Sequence, residues 1–257
     1  MKTYDTIYIS PHLDDAALSC GGQIFQQTQR GESVLVVTVA AGEPQTTIRS
    51  PFAQFLHHNW GFTAVEAVAM RRAEDVLACQ RLGADVYHGS LPDAIYRLHP
   101  QNQEPLYASN EGIFGPLHAA ENPLIDEIEL FFRSLPASRR VAAPLAAGNH
   151  VDHQLARHAA ERVWGAALLY YEDYPYVQRN PQAFRRLVQP AQQWRSYLIG
   201  LEPGALTARL EAIKAYRSQI SSLFNDLDEM EAAVIRQVAR TGGERLWQRL
   251  PTEPFRN

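Results

Sequence analysis

Residues 11–16 read PHLDDA and residues 149–154 read NHVDHQ. Imidazole and carboxylate are the groups that ligate divalent cations and move protons near neutral pH. In the first stretch His12 and Asp15 stand three residues apart, with Asp14 beside them. In the second, His150 and His153 share one face of a helical turn, with Asp152 between them. Each stretch alone has a plainer explanation. Asp14 or Asp15 can cap a helix by accepting its free N–H groups, and His-x-x-His is common on helix surfaces. Two adjacent aspartates exceed what capping requires. Taken together, His12, Asp15 and one of His150 and His153 supply three ligands, the number a hydrolytic zinc site uses while keeping a position for water. Asp14 is then free to act as a base.

The surrounding pattern says how these residues are positioned. Apolar, β-rich runs at 6–10, 33–40, 84–90, 139–145 and 166–171 read as strands. Helical periodicity covers 15–29, 64–82, 124–134, 151–164, 206–222 and 226–240. The alternation predicts an α/β fold: a doubly wound, mostly parallel, Rossmann-like sheet flanked by helices, in one domain over 1–257. Both motifs follow apolar strands, so both fall on the C-terminal edge of the sheet, where ligands bind in such folds. Two stretches, 42–63 and 97–123, are expected to be long loops that form walls or lids. His57 and His58 in the first of them, and His158, stay outside the expected site. YYEDYPY at 170–176 follows the fifth strand on the same edge. Its aromatics and acids suit a hydroxyl-rich, ring-shaped ligand.

The totals narrow the partners. There are 24 Lys and Arg against 28 Asp and Glu, a net charge of −4, which gives no footprint for nucleic acid or anionic lipid. No run of about 18 apolar residues predicts a membrane span. The opening residues lack the apolar region of a secretory signal. Cys20 and Cys79 sit far apart in apolar helical contexts and read as buried free thiols of a reducing, cytoplasmic compartment. The expected partner is a small molecule, and self-association into a homo-oligomer is left open. No Gly-x-Gly-x-x-Gly follows the first strand, which argues against a dinucleotide.

In this order and context the two histidine motifs resemble those of the PIG-L/LmbE-like family of metal-dependent N-deacetylases. Secondary markers agree: RRAE at 71–74 leading into RLG at 81–83, LPD at 91–93 and YRSQI at 216–220. The resemblance spans roughly 6–220. It implies zinc held by His12, Asp15 and His153, although a site of two histidines and an aspartate also accepts other divalent ions such as Fe2+. It implies Asp14 as general base, a protonated His150 as electrostatic stabiliser or general acid oriented by Asp152, and Arg71 and Asp93 in contact with a sugar. The implied activity is removal of an acetyl group from an N-acetylated amino-sugar derivative, such as an N-acetylglucosamine conjugate. Two positions depart from the pattern. Ala16 stands where many relatives carry glutamate, and Gly148 stands where some carry a tyrosine that supports the oxyanion. The second departure implies a different donor or a different substrate branch. A zinc amidase acting on a non-sugar N-acyl compound and a non-catalytic ligand-binding module are the competing readings.

Overall fold

The computed structural model describes residues 2–44, 50–60 and 62–251, apart from the side chains of 59 and 60. Five parallel strands form the body of the sheet: β1 (Tyr4–Ser10), β2 (Val34–Thr38), β3 (Asp85–His88), β4 (Ser138–Pro144) and β5 (Leu169–Tyr171). Two antiparallel strands complete it, β6 (Trp194–Ile199) and β7 (Glu244–Arg249), giving the order β3-β2-β1-β4-β5-β7-β6. The helices are α1 (Asp15–Gln29), α2 (Pro51–Trp60), α3 (Ala64–Leu82), α4 (Asn110–Ile113), α5 (Asn122–Arg133), α6 (Val151–Trp164), α7 (Tyr176–Arg179), α8 (Pro181–Leu187), α9 (Pro203–Ile213), α10 (Arg217–Leu223) and α11 (Leu227–Thr241).

The central strands are buried on both faces because each face has its own helical layer. Ile7 and Ile9 of β1 point into a core with Ile128 and Phe132 of α5 and Leu155 and Ala159 of α6. Tyr8, one residue out of phase, points into the opposite core with Ile24 of α1, Ala78 and Leu82 of α3 and Ala212 of α9. The period of two along the strand thus becomes a two-sided, helix-covered sheet. Strand order reverses between β1 and β4, and this switch point opens a crevice at their C-terminal ends. PHLDDA follows β1 and NHVDHQ follows β4, so the topology alone brings the two motifs to one crevice.

Three expectations change. The sheet has two further, antiparallel strands at its edge. The helix expected over 206–222 is two helices, α9 and α10. At the break the Tyr216 hydroxyl turns inward to donate a 2.6 Å hydrogen bond to buried Asp75, and Ser218 donates its N–H and hydroxyl to Glu74. The 42–63 stretch carries α2, and 97–123 carries α4 and the start of α5. Residues 45–49 and 61 of the former lie outside the described residues. Among the described residues no helix is long and apolar enough to cross a membrane.

Candidate active site

A tight turn from β1 into α1 delivers the first motif. The Ser10 hydroxyl donates to the His12 carbonyl (2.6 Å) and accepts from the Ala16 N–H (3.1 Å). The His12 N–H donates to Asp15 Oδ2 (2.8 Å), which closes the turn on itself. Asp14 occupies the N-cap position of α1, yet its side chain makes no capping bond. Capping therefore does not explain this aspartate. Its carboxylate is buried, accepts no hydrogen bond among the described residues, and lines the cavity.

The second motif follows β4 through a turn in which Ala146 and Asn149 adopt left-handed φ values of 59° and 61°. Non-glycine residues there carry backbone strain, which surrounding contacts must hold. The Asn149 side-chain amide supplies such contacts, donating to the Phe114 and Gly115 carbonyls at 2.9 and 3.0 Å. The turn leads into α6 and presents His150 and His153 to the first motif.

The decisive geometry lies around one oxygen. Asp15 Oδ2 is 3.2 Å from His12 Nδ1 and 3.2 Å from His153 Nε2. His153 Nε2 is buried and makes no hydrogen bond. Ligands about 2.0–2.1 Å from a tetrahedral zinc ion stand roughly 3.3 Å from one another, so these two separations match two edges of such a site. The far nitrogens of both rings meet buried carboxylates: His12 Nε2 lies 2.9 Å from Asp152 Oδ2, and His153 Nδ1 lies 2.6 Å from Asp173 Oδ1. Carboxylates behind ligating histidines fix ring orientation and raise ligand basicity. A ring nitrogen of His150 also comes within 4.8 Å of ring nitrogens of His12 and His153. No carboxylate backs that ring, however; its Nδ1 accepts the Asp152 backbone N–H (3.2 Å). His12, His150 and His153 form one group among the described residues that could hold a metal ion, and His12, Asp93 and Asp152 another; Asp15 Oδ2 stands 3.2 Å from two rings of the first.

Asp152 takes a different place from the one expected. Its carboxylate does not orient the His150 ring. It accepts from the Ala94 N–H (3.1 Å), contacts His12 and pairs with the buried guanidinium of Arg97, which also pairs with Glu121. Burial opposes the charge on Asp152, but Arg97 and His12 overcome it and hold the carboxyl far below the usual carboxylate range. In the metal-free chain burial, then the positive charge on His12, push the His150 pKa well below that of an ordinary histidine, which favours the neutral ring. Because Nδ1 accepts a hydrogen bond, the proton of the neutral ring resides on Nε2. Burial and the neighbouring Asp15 carboxylate push Asp14 up to about 6.

Arg71 and Asp93 face each other at 3.7 Å and line the same cavity as His12, Asp14, Asp15 and His150; its volume is about 560 Å³. Leu56, Ile113, Phe114 and Tyr176 give it apolar walls. A Cβ at Gly148 would lie 2.5 Å from Cγ of Tyr176, so only glycine lets this ring reach the wall. The Tyr176 ring, at the start of α7, thus packs against position 148. His57 is engaged with the Tyr96 hydroxyl (2.7 Å) and does not line the cavity. Sequence reasoning missed Asp173, Arg97 and Glu121. For Asp173 a signal existed, an acid just past an apolar strand; for Arg97 and Glu121 there was none.

The profile of PIG-L, GlcNAc-PI de-N-acetylase, matches residues 7–164. The chain belongs to the PIG-L family. It is 28 % identical to a 2'-N-acetylparomamine deacetylase of Niallia circulans, across 97 % of this chain and 93 % of that one. A protein of the same description from Streptomyces fradiae is 27 % identical over 94 % of this chain and 80 % of its own. Among solved structures, the zinc-inhibited form of teicoplanin deacetylase superimposes with a TM-score of 0.81 and 30 % identity, covering 98 % of this chain and 99 % of that one. The PIG-L match covers both motifs, β1 through α6, and the chain is a hydrolase of amide bonds of the de-N-acetylase type.

Asp173 contacts the His153 ring and also accepts the Ala147 N–H (3.1 Å), so its loss tests the outer ring of the site. Asp173→Asn is expected to weaken metal affinity about 10- to 100-fold with the fold retained. Competition with a chromogenic chelator measures this, and unchanged affinity would show that the carboxylate does not support the ligand.

Proposed function

We propose that this PIG-L chain removes the acetyl group from an N-acetylated amino-sugar derivative, with a divalent cation held by His12, Asp15 and His153. The observation that carries the reading is Asp15 Oδ2, equidistant from two imidazole nitrogens, beside an unbonded Asp14 carboxylate at the head of the cavity. When bound, the cation supplies Lewis acidity, which acidifies water and polarises the acetamide carbonyl. Zinc suits the ligand set and the relative's zinc-inhibited form, while Fe2+ is compatible with it. A cytoplasmic setting belongs to the same reading, supported by two buried cysteines without a disulfide.

Asp14 accepts the proton of the attacking water. Its raised pKa of about 6 leaves it ionised at pH 7 yet more basic than an ordinary carboxylate, which suits a general base. His150 stands opposite as a neutral N–H donor. It donates to the carbonyl oxygen as negative charge develops, a contribution of about 3–4 kcal/mol for one such donor. The proton taken by Asp14 passes to the departing nitrogen, and acetate and a free amine result. Arg71 and Asp93 bind sugar hydroxyls, the one as donor and the other as acceptor. The deciding experiment compares acetate release from N-acetylglucosamine glycosides with release from N-acetyl amino acids. Turnover of the glycosides is expected; turnover of the amino acids alone would overturn the sugar reading.

The same geometry sets a pH dependence. In the metal-free chain burial opposes protonation of His153, but Asp15 and Asp173 outweigh it and push the ring up to about 9. At pH 7 the cation must displace that proton, so metal affinity rises with pH up to about 9 and falls below it. Calorimetric titration at pH 6 and 8 is expected to give the tighter binding at pH 8, approaching about tenfold per pH unit for each proton displaced. Equal affinities would contradict His153 as a ligand.

A further inference from the structure

Behind the proposed metal ligands lies a buried charge cluster that the proposed chemistry does not use. Arg97, Tyr107, Glu121 and Asp152 are all buried. The Arg97 guanidinium is forked between two carboxylates. Its Nε donates to Glu121 Oε1 and one terminal nitrogen donates to Glu121 Oε2 (3.3 Å). The other terminal nitrogen donates to Asp152 Oδ1 and to the Pro92 carbonyl (3.1 Å). Glu121 Oε2 also accepts the Tyr107 hydroxyl (2.5 Å), whose oxygen accepts the His118 N–H (2.9 Å). Arg97, Tyr107, His118 and Glu121 all belong to the 97–123 stretch, whose Ile113 and Phe114 line the cavity.

Such a cluster is more than folding requires. Apolar residues in place of a buried ion pair are often neutral or stabilising, whereas a forked guanidinium fixes geometry. What is fixed here is the Asp152 carboxylate. Arg97 takes Oδ1, while Oδ2 accepts the Ala94 N–H (3.1 Å) and meets His12 Nε2 (2.9 Å). With both oxygens held, the carboxylate gives the His12 ring one orientation, which leaves Nδ1 3.2 Å from Asp15 Oδ2. His153 is braced differently. It sits on α6, and its partner Asp173 is held by the Ala147 N–H without a cation. His12 lies on the turn between β1 and α1, and a ring carried by a loop is placed less firmly than one on a helix.

We infer that Arg97, anchored by Glu121, is a positioning residue for the metal site. It acts through Asp152 on the His12 ring, and so couples cation affinity to the 97–123 stretch. This role rests on the de-N-acetylase reading, whose cation site it supports. The sign of the effect is diagnostic. A positive charge near a cation site weakens binding by repulsion, so removing Arg97 tightens binding if charge alone matters. Loss of the His12 orientation weakens it instead.

The test measures zinc affinity by competition with a chromogenic chelator, with circular dichroism on each chain. The chains are the parent, Arg97→Met, Arg97→Lys and the double variant Arg97→Met with Glu121→Gln. The double variant removes one positive and one negative charge, so the net charge beside Asp152 is unchanged and no unpaired carboxylate is left at position 121. Both chains with Arg97→Met are expected to bind zinc about tenfold more weakly than the parent. Arg97→Lys falls between, because an ammonium replaces the charge and not the fork. Should Arg97→Met fail to fold, the double variant and Arg97→Lys decide. Tighter binding in Arg97→Met, or parental affinity in the folded double variant, would overturn the positioning role and leave the cation site and the deacetylase reading intact. A parent chain without zinc affinity would overturn the cation site itself, and the positioning role with it.

Discussion

Replacing Asp14 with Asn lowers kcat for acetate release by a factor of about 10²–10⁴ while the metal content of the chain is retained. Asparagine keeps the size of the side chain and cannot accept the proton of the attacking water. The three proposed ligands are untouched, since Asp14 makes no hydrogen bond to any of them. Stability moves in the opposite direction to activity. The Asp14 pKa is raised in the folded state to about 6, so its ionised form opposes folding above the unfolded value near 3.9. The substitution removes that opposition, and the melting temperature of the metal-free chain at pH 8 is expected to rise. Steady-state kinetics, elemental analysis and thermal unfolding on one preparation check all three. A variant with near-parental turnover would remove Asp14 as the base.

His153→Ala has an equally large and different signature. It removes the proposed ligand whose Nε2 is buried and unbonded, and it strips Asp15 and Asp173 of the group between them. Metal stoichiometry is expected to fall to near zero and acetate release to background, a larger loss than the about 10- to 100-fold expected from an outer partner. Losing the imidazole between two buried carboxylates, each still held by a backbone N–H, also destabilises the fold, by about 3–5 kcal/mol. Circular dichroism therefore accompanies the metal analysis. A folded His153→Ala chain that keeps one zinc would contradict the ligand assignment.

The five parallel strands and the motifs at their ends were legible because the signal is local. β1 and β2, covered on both sides, carry continuous apolar runs, β3 at the sheet edge alternates, and each motif is a string of four residues. β6 and β7 were not legible. Most of β6 is exposed, and β7 begins with Glu244, buried but ion-paired with Arg209 at 3.4 Å, so neither shows the pattern of a half-buried strand. The break between α9 and α10 is held by tertiary hydrogen bonds, from Tyr216 to Asp75 and from the Ser218 N–H and hydroxyl to Glu74, which no helical periodicity records. In the site, the supporting charges escaped for the same reason. Asp173 meets His153 across 20 positions, and Arg97 meets Asp152 across 55. The packing of the Tyr176 ring against Gly148 escaped too, because the sequence neighbours of Gly148 do not reveal it.

The central claim is that one divalent cation sits among His12, Asp15 and His153. Anomalous diffraction at the zinc edge, from crystals grown with stoichiometric zinc, tests it most directly. The expected map has one strong peak within about 2.0–2.2 Å of His12 Nδ1, an Asp15 carboxylate oxygen and His153 Nε2. A map with no peak between these residues, or with the ion bound by other side chains, would contradict it.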